Sequence, residues 1–259
     1  LSHQRNVPKN CSTTSSNQEN QDMKSPNSLL LAAFIAVLST SAIAQEENVI
    51  TREIELGGLF TSGNTEEQSL NFAGSINLDL GRWNYDFSLD ALYSSSENEV
   101  KGQRWYGVAS ANYELSANSF FQSRFSHEDD RFSGFDSQSD LTFNYGSRFL
   151  QNRTNMGLTL NAGLGIRRSR LDEDDFDEPI LRLAGDYSWN VSNTAIFSQE
   201  LSREYGSDST IYRSESSIET QILENLSLRF SLKIKHQTDV PPEREETDTE
   251  TAVTFVMNF

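Results

Sequence analysis

The stretch Leu70–Tyr93, LNFAGSINLDLGRWNYDFSLDALY, sets the tightest limit on what this chain can fold into. Leu70, Phe72, Ile76, Leu78 and Leu80 alternate with Asn71, Ala73, Ser75, Asn77 and Asp79. After Gly81-Arg82 the alternation resumes, with Trp83, Tyr85, Phe87, Leu89, Ala91 and Tyr93 set against Asn84, Asp86, Ser88 and Asp90. A period of two means strand, because successive strand side chains point to opposite faces. The two-residue link means a tight hairpin. Each strand runs about a dozen residues, beyond the ~5–6 usual in globular sheets and enough for the ~9–11 that cross a bilayer. One face is apolar and the other polar and charged, which predicts a hairpin of a transmembrane β-barrel with lipid outside and water inside.

The same rhythm returns along the chain. A first strand is expected over Ile54 to Phe60, and a last one ends on Thr251, Val253, Phe255, Met257 and Phe259. Connections after even strands are short: GR, SAN, LQNR, NVSN and LEN. Those after odd strands read as longer and acidic, among them HEDDRFSGFDSQ and RRSRLDEDDFDEP. Short inner turns and long outer loops are the asymmetry of outer-membrane barrels. The expected fold is therefore all-β: a transmembrane antiparallel up-and-down β-barrel of about twelve strands with both termini periplasmic. Mean hydropathy is -0.57 and no apolar run reaches membrane-helix length, which excludes a helical membrane protein. A net charge of -17 disfavours nucleic acid, which needs a basic footprint.

Residues 1–22 are polar and aperiodic, and are expected to be disordered or an upstream extension. Met23-Lys24, the apolar run Leu29–Leu38 and the small-residue site Ala42-Ile43-Ala44 read as a signal peptide over 23–44. That leaves 45–259 as the barrel. Cys11 precedes the cleavage site, so the mature chain is expected to use neither disulfides nor thiolate metal sites. The closing run to Phe259, apolar at every second place and ending on an aromatic, resembles the terminal strand read by the barrel-assembly machinery.

Glu55–Asn71, ELGGLFTSGNTEEQSLN, is similar to the opening of the salt-induced outer membrane proteins, a family of unknown function. Gly63-Asn64-Thr65 before a long alternating strand carries most of the likeness, and the Gly81-Arg82-Trp83 turn fits it. The resemblance implies a barrel in the outer membrane of a Gram-negative bacterium, with a role tied to salt or osmotic conditions and no reaction.

The polar phase holds charges of both signs. If Ile222 faces Leu226, then Glu219 faces Arg229 and Glu215 faces Lys233. Opposite charges across an antiparallel pair contribute roughly 0.2–1 kcal/mol each. Such pairs either fill a narrow barrel or line an ion or solute path. The acidic segments Glu128-Asp129-Asp130 and Asp172–Asp175 read as outer loops. Asp172, Asp174, Asp175, Glu128 and Asp129 are candidates for a loosely held Ca²⁺ or Mg²⁺ shared with lipopolysaccharide, against the alternative of solvated acidic loops. No other cofactor is expected. The expected partners are outer-membrane lipids, lipopolysaccharide and the assembly machinery. His127 and His236 fall in the lipid-facing phase, and no Gly-x-Ser-x-Gly, His-Glu-x-x-His or phosphate loop occurs. The expected function is a non-enzymatic envelope barrel. The alternatives are a narrow diffusion channel, a hydrolase using His127, and a soluble all-β binding protein.

Overall fold

The structure, a computed structural model, describes residues 49–61, 67–96, 99–130, 135–171, 174–241 and 244–259. The extension, the signal peptide, Cys11, Gly63-Asn64-Thr65 and Asp172 lie outside the described residues. The alternating stretches form twelve strands: β1 (Val49–Thr61), β2 (Glu67–Leu80), β3 (Trp83–Ser96), β4 (Glu99–Ser116), β5 (Ser119–Asp130), β6 (Ser137–Phe149), β7 (Met156–Leu171), β8 (Asp174–Asn190), β9 (Ala195–Gly206), β10 (Thr210–Leu223), β11 (Leu226–Gln237) and β12 (Thr247–Asn258). Every strand pairs antiparallel with its sequence neighbours, and β1 pairs with β12 to close the barrel. Glu53 lies opposite Asn258 and Gly57 opposite Thr254, while Arg52 and Phe259 exchange backbone hydrogen bonds of 3.0 and 3.4 Å. An even strand count brings the start of β1 and the end of β12 to the barrel end that carries the short turns.

The two faces are sorted opposite to those of a water-soluble protein. Phe143, Leu164 and Ile166 are 62%, 68% and 61% exposed, whereas Thr142, Arg167 and Glu204 are at most 1% exposed. Leaving one large apolar side chain in water forgoes about 1.5–3 kcal/mol. A wall of such residues is stable against acyl chains and not against water. Aromatic residues band the outer wall at both ends. Trp83, Phe121, Phe149 and Trp189 stand near the short turns, and Tyr93, Trp105, Tyr205 and Tyr212 near the other end. These are the girdles of a membrane-spanning barrel.

Local chemistry explains the turns. Gly81 takes φ 71° as the first central residue of the two-residue β2–β3 hairpin, which calls for glycine. At the β10–β11 turn Leu223, not Ile222, faces Leu226. A bulge between Gln221 and Leu223 absorbs the extra residue, so Glu219 still lies opposite Arg229 and Glu215 opposite Lys233. Phe120 is an aromatic in the inward phase. It is buried over Gly146, whose absent Cβ would lie 2.2 Å from the ring, and the Arg148 guanidinium covers it at 4.7 Å.

The long acidic loops expected after odd strands are largely strand. β5 runs through Glu128, Asp129 and Asp130, and β7 and β8 run through Arg167–Leu171 and Asp174–Glu178. Cross-strand register explains why: Arg167 faces Glu178, Arg168 faces Asp177 and Arg170 faces Asp175. Three opposite-charge pairs therefore zip the hairpin beyond the apolar outer row, which ends at Ile166.

Candidate functional site

The site is the lumen. It holds a cavity of about 690 Å³ lined by residues of the polar phase from strands all around the barrel. On one side, β2 to β6 present neutral amides in a continuous chain. Asn77 donates to Asp86, Asn84 to Asn77 (3.2 Å), Asn112 to Asn84 (3.0 Å) and to Asp86 (2.7 Å), Gln122 to Asn112 (3.0 Å), and Asn144 to Gln122 (3.2 Å). Asn77 is directly opposite Asp86, Asn84 opposite Asn112, Asn112 opposite Gln122 and Gln122 opposite Asn144, while Asn84–Asn77 and Asn112–Asp86 are diagonal neighbours, so the sheet register itself builds the chain. On the facing side, β8, β9 and β10 place Asp186, Glu200 and Glu215 side by side. Asp186 is the register partner of Glu200, and Glu200 of Glu215. All three line the cavity, and none forms an ion pair among the described residues. Like charges directly opposite are destabilising in a sheet. Their retention points to the wet lumen as the solvent that tolerates them.

Farther from the short turns, side chains cross the lumen. Glu128 on β5 accepts hydrogen bonds from Arg213 on β10 and Lys235 on β11, both at 2.8 Å. In a ring of twelve strands, β5 and β11 are diametrically opposite. Glu128, at 5% exposure, is thus a strut across the barrel. Arg213 also donates to Glu204 (2.7 Å), which pairs with Arg182 (3.3 Å). Arg124 donates to the Tyr106 hydroxyl at 2.6 Å, and the Arg213 guanidinium lies 5.3 Å from the same ring. Arg104 joins Asp90 (3.0 Å) to Glu250 (2.8 Å). Arg167 pairs with Asp140 (2.9 Å) and Glu178 (3.5 Å), and Glu178 accepts from the Asp208 backbone N–H (2.9 Å) in the β9–β10 turn. Each buried charge here has a partner, as burial demands.

The predicted residues fall out as follows. Arg229 and Glu219 meet at 2.5 Å, and Arg229 also reaches Glu53 (3.0 Å) and Glu55 across β12. Glu215 and Lys233 are in register but do not pair, because Lys233 turns across the lumen to Asp90. Glu128 and Asp129, expected as cation ligands in an outer loop, lie on β5. They are neighbours on one strand, so their carboxylates point to opposite faces, and Glu128 is already held by two cations. Asp174 and Asp175 are split in the same way, with Asp175 bound by Arg170 at 2.8 Å and Asp177 by Arg168 at 2.7 Å. Phe259 projects from the outer face, 62% exposed. His127 packs at a tilt against Trp105 (ring centroids 4.8 Å apart) on the outer face, and its Nδ1 lies 2.7 Å from Ser139 Oγ. His236 Nδ1 and Thr247 Oγ1 repeat that arrangement at 2.9 Å. The same His–hydroxyl contact thus occurs at two places on the outer girdle.

Sequence reasoning missed Glu53, Glu55, Tyr106, Asp140, Glu178, Glu200, Glu204 and Glu250 as lumen residues. The available signal was the phase of each strand carried past the point where apolar residues stop.

A family model described as a protein of unknown function, DUF481, matches residues 54–259, the barrel from within β1 to the chain's last residue. The chain belongs to the DUF481 family. It is 24% identical over 207 residues to the uncharacterized protein YdiY of Escherichia coli (strain K12), covering 80% of this chain and 81% of that one. Among solved structures, this DUF481 barrel is similar to the translocator domain of the autotransporter NalP from Neisseria meningitidis. The TM-score is 0.47 at 11% identity, covering 90% of this chain and 94% of that one. It is also similar to an outer membrane channel from Pseudomonas putida F1, with a TM-score of 0.45 at 12% identity, covering 85% and 98%.

Proposed function

We propose that this DUF481 protein is a non-enzymatic barrel of the Gram-negative outer membrane that forms a narrow, cation-preferring conduit constricted by the Glu128 strut. The observation that carries the reading is the lumen cavity, whose lining sets ten carboxylates against seven cations and is crossed at Glu128 by Arg213 and Lys235. A purely structural barrel has no use for the row Asp186–Glu200–Glu215, which forms no ion pair among the described residues, whereas a carboxylate-lined passage lowers the energy of a dehydrating cation. The short turns and both termini face the periplasm in this reading, and the terminal Phe259 is the residue offered to the assembly machinery. The envelope role under salt stress follows from the same pairs. Salt screens the partly exposed Arg104–Glu250 and Lys233–Asp90 pairs more than the buried ones, so conductance should rise faster than bath conductivity.

The test is single-channel current in planar bilayers. Wild type should give small steps, and Glu128→Ala, which leaves Arg213 and Lys235 without their shared acceptor, should give larger ones. Wild type and Glu128→Ala that both fold and both stay silent would rule out the conduit.

A further inference from the structure

We propose that Arg203 is the centre of a binding site for the phosphate of a membrane-lipid headgroup, on the outer wall of the barrel. The inference rests on the barrel spanning a membrane but not on its lumen conducting. β9 alternates, so Glu204 points inward while Leu201, Arg203 and Tyr205 point to lipid. The Arg203 guanidinium lies 5.5 Å from the Tyr205 ring centroid and 5.0 Å from that of Tyr212. Register extends the patch sideways: Arg203 is opposite Tyr212, which is opposite His236, whose ring lies 5.8 Å from that of Tyr212.

Arg168 and Arg170, which also point outward from strands, are each gripped at two positions by an aspartate. Arg203 forms no ion pair among the described residues. A lipid-facing arginine is costly at the bilayer midplane and nearly free at the interface. Tyrosine rings mark that interface. The two rings cover the guanidinium by cation–π contact and leave its planar edge free, the edge that grips phosphate with two parallel hydrogen bonds. At headgroup depth the acceptor of matching charge and geometry is a lipid phosphate.

The test uses the full chain folded in dodecyl maltoside, an uncharged detergent, with bound lipid counted by native mass spectrometry. Dioleoyl phosphatidylglycerol should be retained about tenfold more tightly than dioleoylglycerol, which has the same tails and no phosphate. Arg203→Gln should erase that difference, Arg203→Lys, which keeps the charge and loses the planar fork, should keep only part of it, and Arg168→Gln should leave it intact. Excess inorganic phosphate should not displace the lipid. Equal retention of the two lipids by wild type, an unchanged preference in Arg203→Gln, or displacement by inorganic phosphate would each overturn the site. If Arg203→Gln does not fold, Tyr212→Leu keeps the charge, removes one ring and should show a partial loss. Failure of the wild-type chain to insert into phosphatidylcholine vesicles would overturn the membrane reading itself, while insertion without lipid preference overturns only this site.

Discussion

At the scale of single residues, inward charges behave as members of networks. Arg229 holds three carboxylates, Glu53, Glu55 and Glu219. Removing one partner of a fully buried pair costs ~3–5 kcal/mol. Arg229 keeps 18% of its side chain exposed, so Arg229→Ala should cost about 2–3 kcal/mol, at or below the lower end of that range. Urea unfolding in vesicles, followed by tryptophan fluorescence, checks this, and Lys at the same position should restore part of the loss. Gly146 carries a different constraint. Any Cβ there runs into Phe120, so Gly146→Val should displace the ring and cost about 1–3 kcal/mol by overpacking. Phe120→Ala in the same chain should relieve the clash, so the pair of substitutions should fall short of additivity in the same assay.

At the scale of elements, the β7–β8 hairpin shows how charge extends a sheet past the lipid. Its tip has no core to hold it, and Arg168–Asp177 and Arg170–Asp175 stand in for one. The hydrogen bond from Arg170 holds the Asp175 carboxyl below the ordinary aspartate range, and that from Arg168 does the same for Asp177. A carboxyl depressed on folding stabilises above its unfolded pKa of about 3.9 and loses that contribution as pH falls through the folded value. The tip should therefore stay paired at neutral pH and open only below about pH 4. Amide exchange at Ser169 and Phe176, corrected for the intrinsic pH dependence, should accelerate there while Leu160 and Leu183 remain protected. Equal acceleration at all four positions would show that the pairs do not hold the tip. Salt should weaken the tip in the same direction, since exposed pairs are screened. The alternation of apolar and polar residues was legible in every strand. The extent of β5, β7 and β8 was not, because a hydrophobic period ends where lipid ends and strand pairing does not.

At the scale of the whole molecule, the proposed conduit would take its ion preference from the net negative charge of the lumen wall. In a potassium chloride gradient the reversal potential should favour the cation. Glu200→Gln, which removes the middle carboxylate of the Asp186–Glu200–Glu215 row, should move it toward zero without unfolding the barrel. An anion-favouring wild type would contradict the charge argument. The two ends of the lumen serve different roles because the chain places amides and unpaired acids near the short turns and ion pairs that cross the axis beyond them.

The residue pattern alone was enough to call for long antiparallel strands with one apolar and one polar face, because a period of two sorts side chains to opposite sides. Closure of β1 on β12 and exposure of the apolar face then exclude the soluble all-β alternative. The pattern also pointed to Glu219 against Arg229, a few places from one tight turn, although the turn itself pairs Leu223 with Leu226 and a bulge restores the expected register. Only the tertiary structure decided that Lys233 leaves Glu215 for Asp90, and that Glu128 belongs to the lumen rather than to a loop. Both depend on which strands face each other across the ring. That distance is fixed by barrel closure, through strand number and stagger, and no local pattern encodes it.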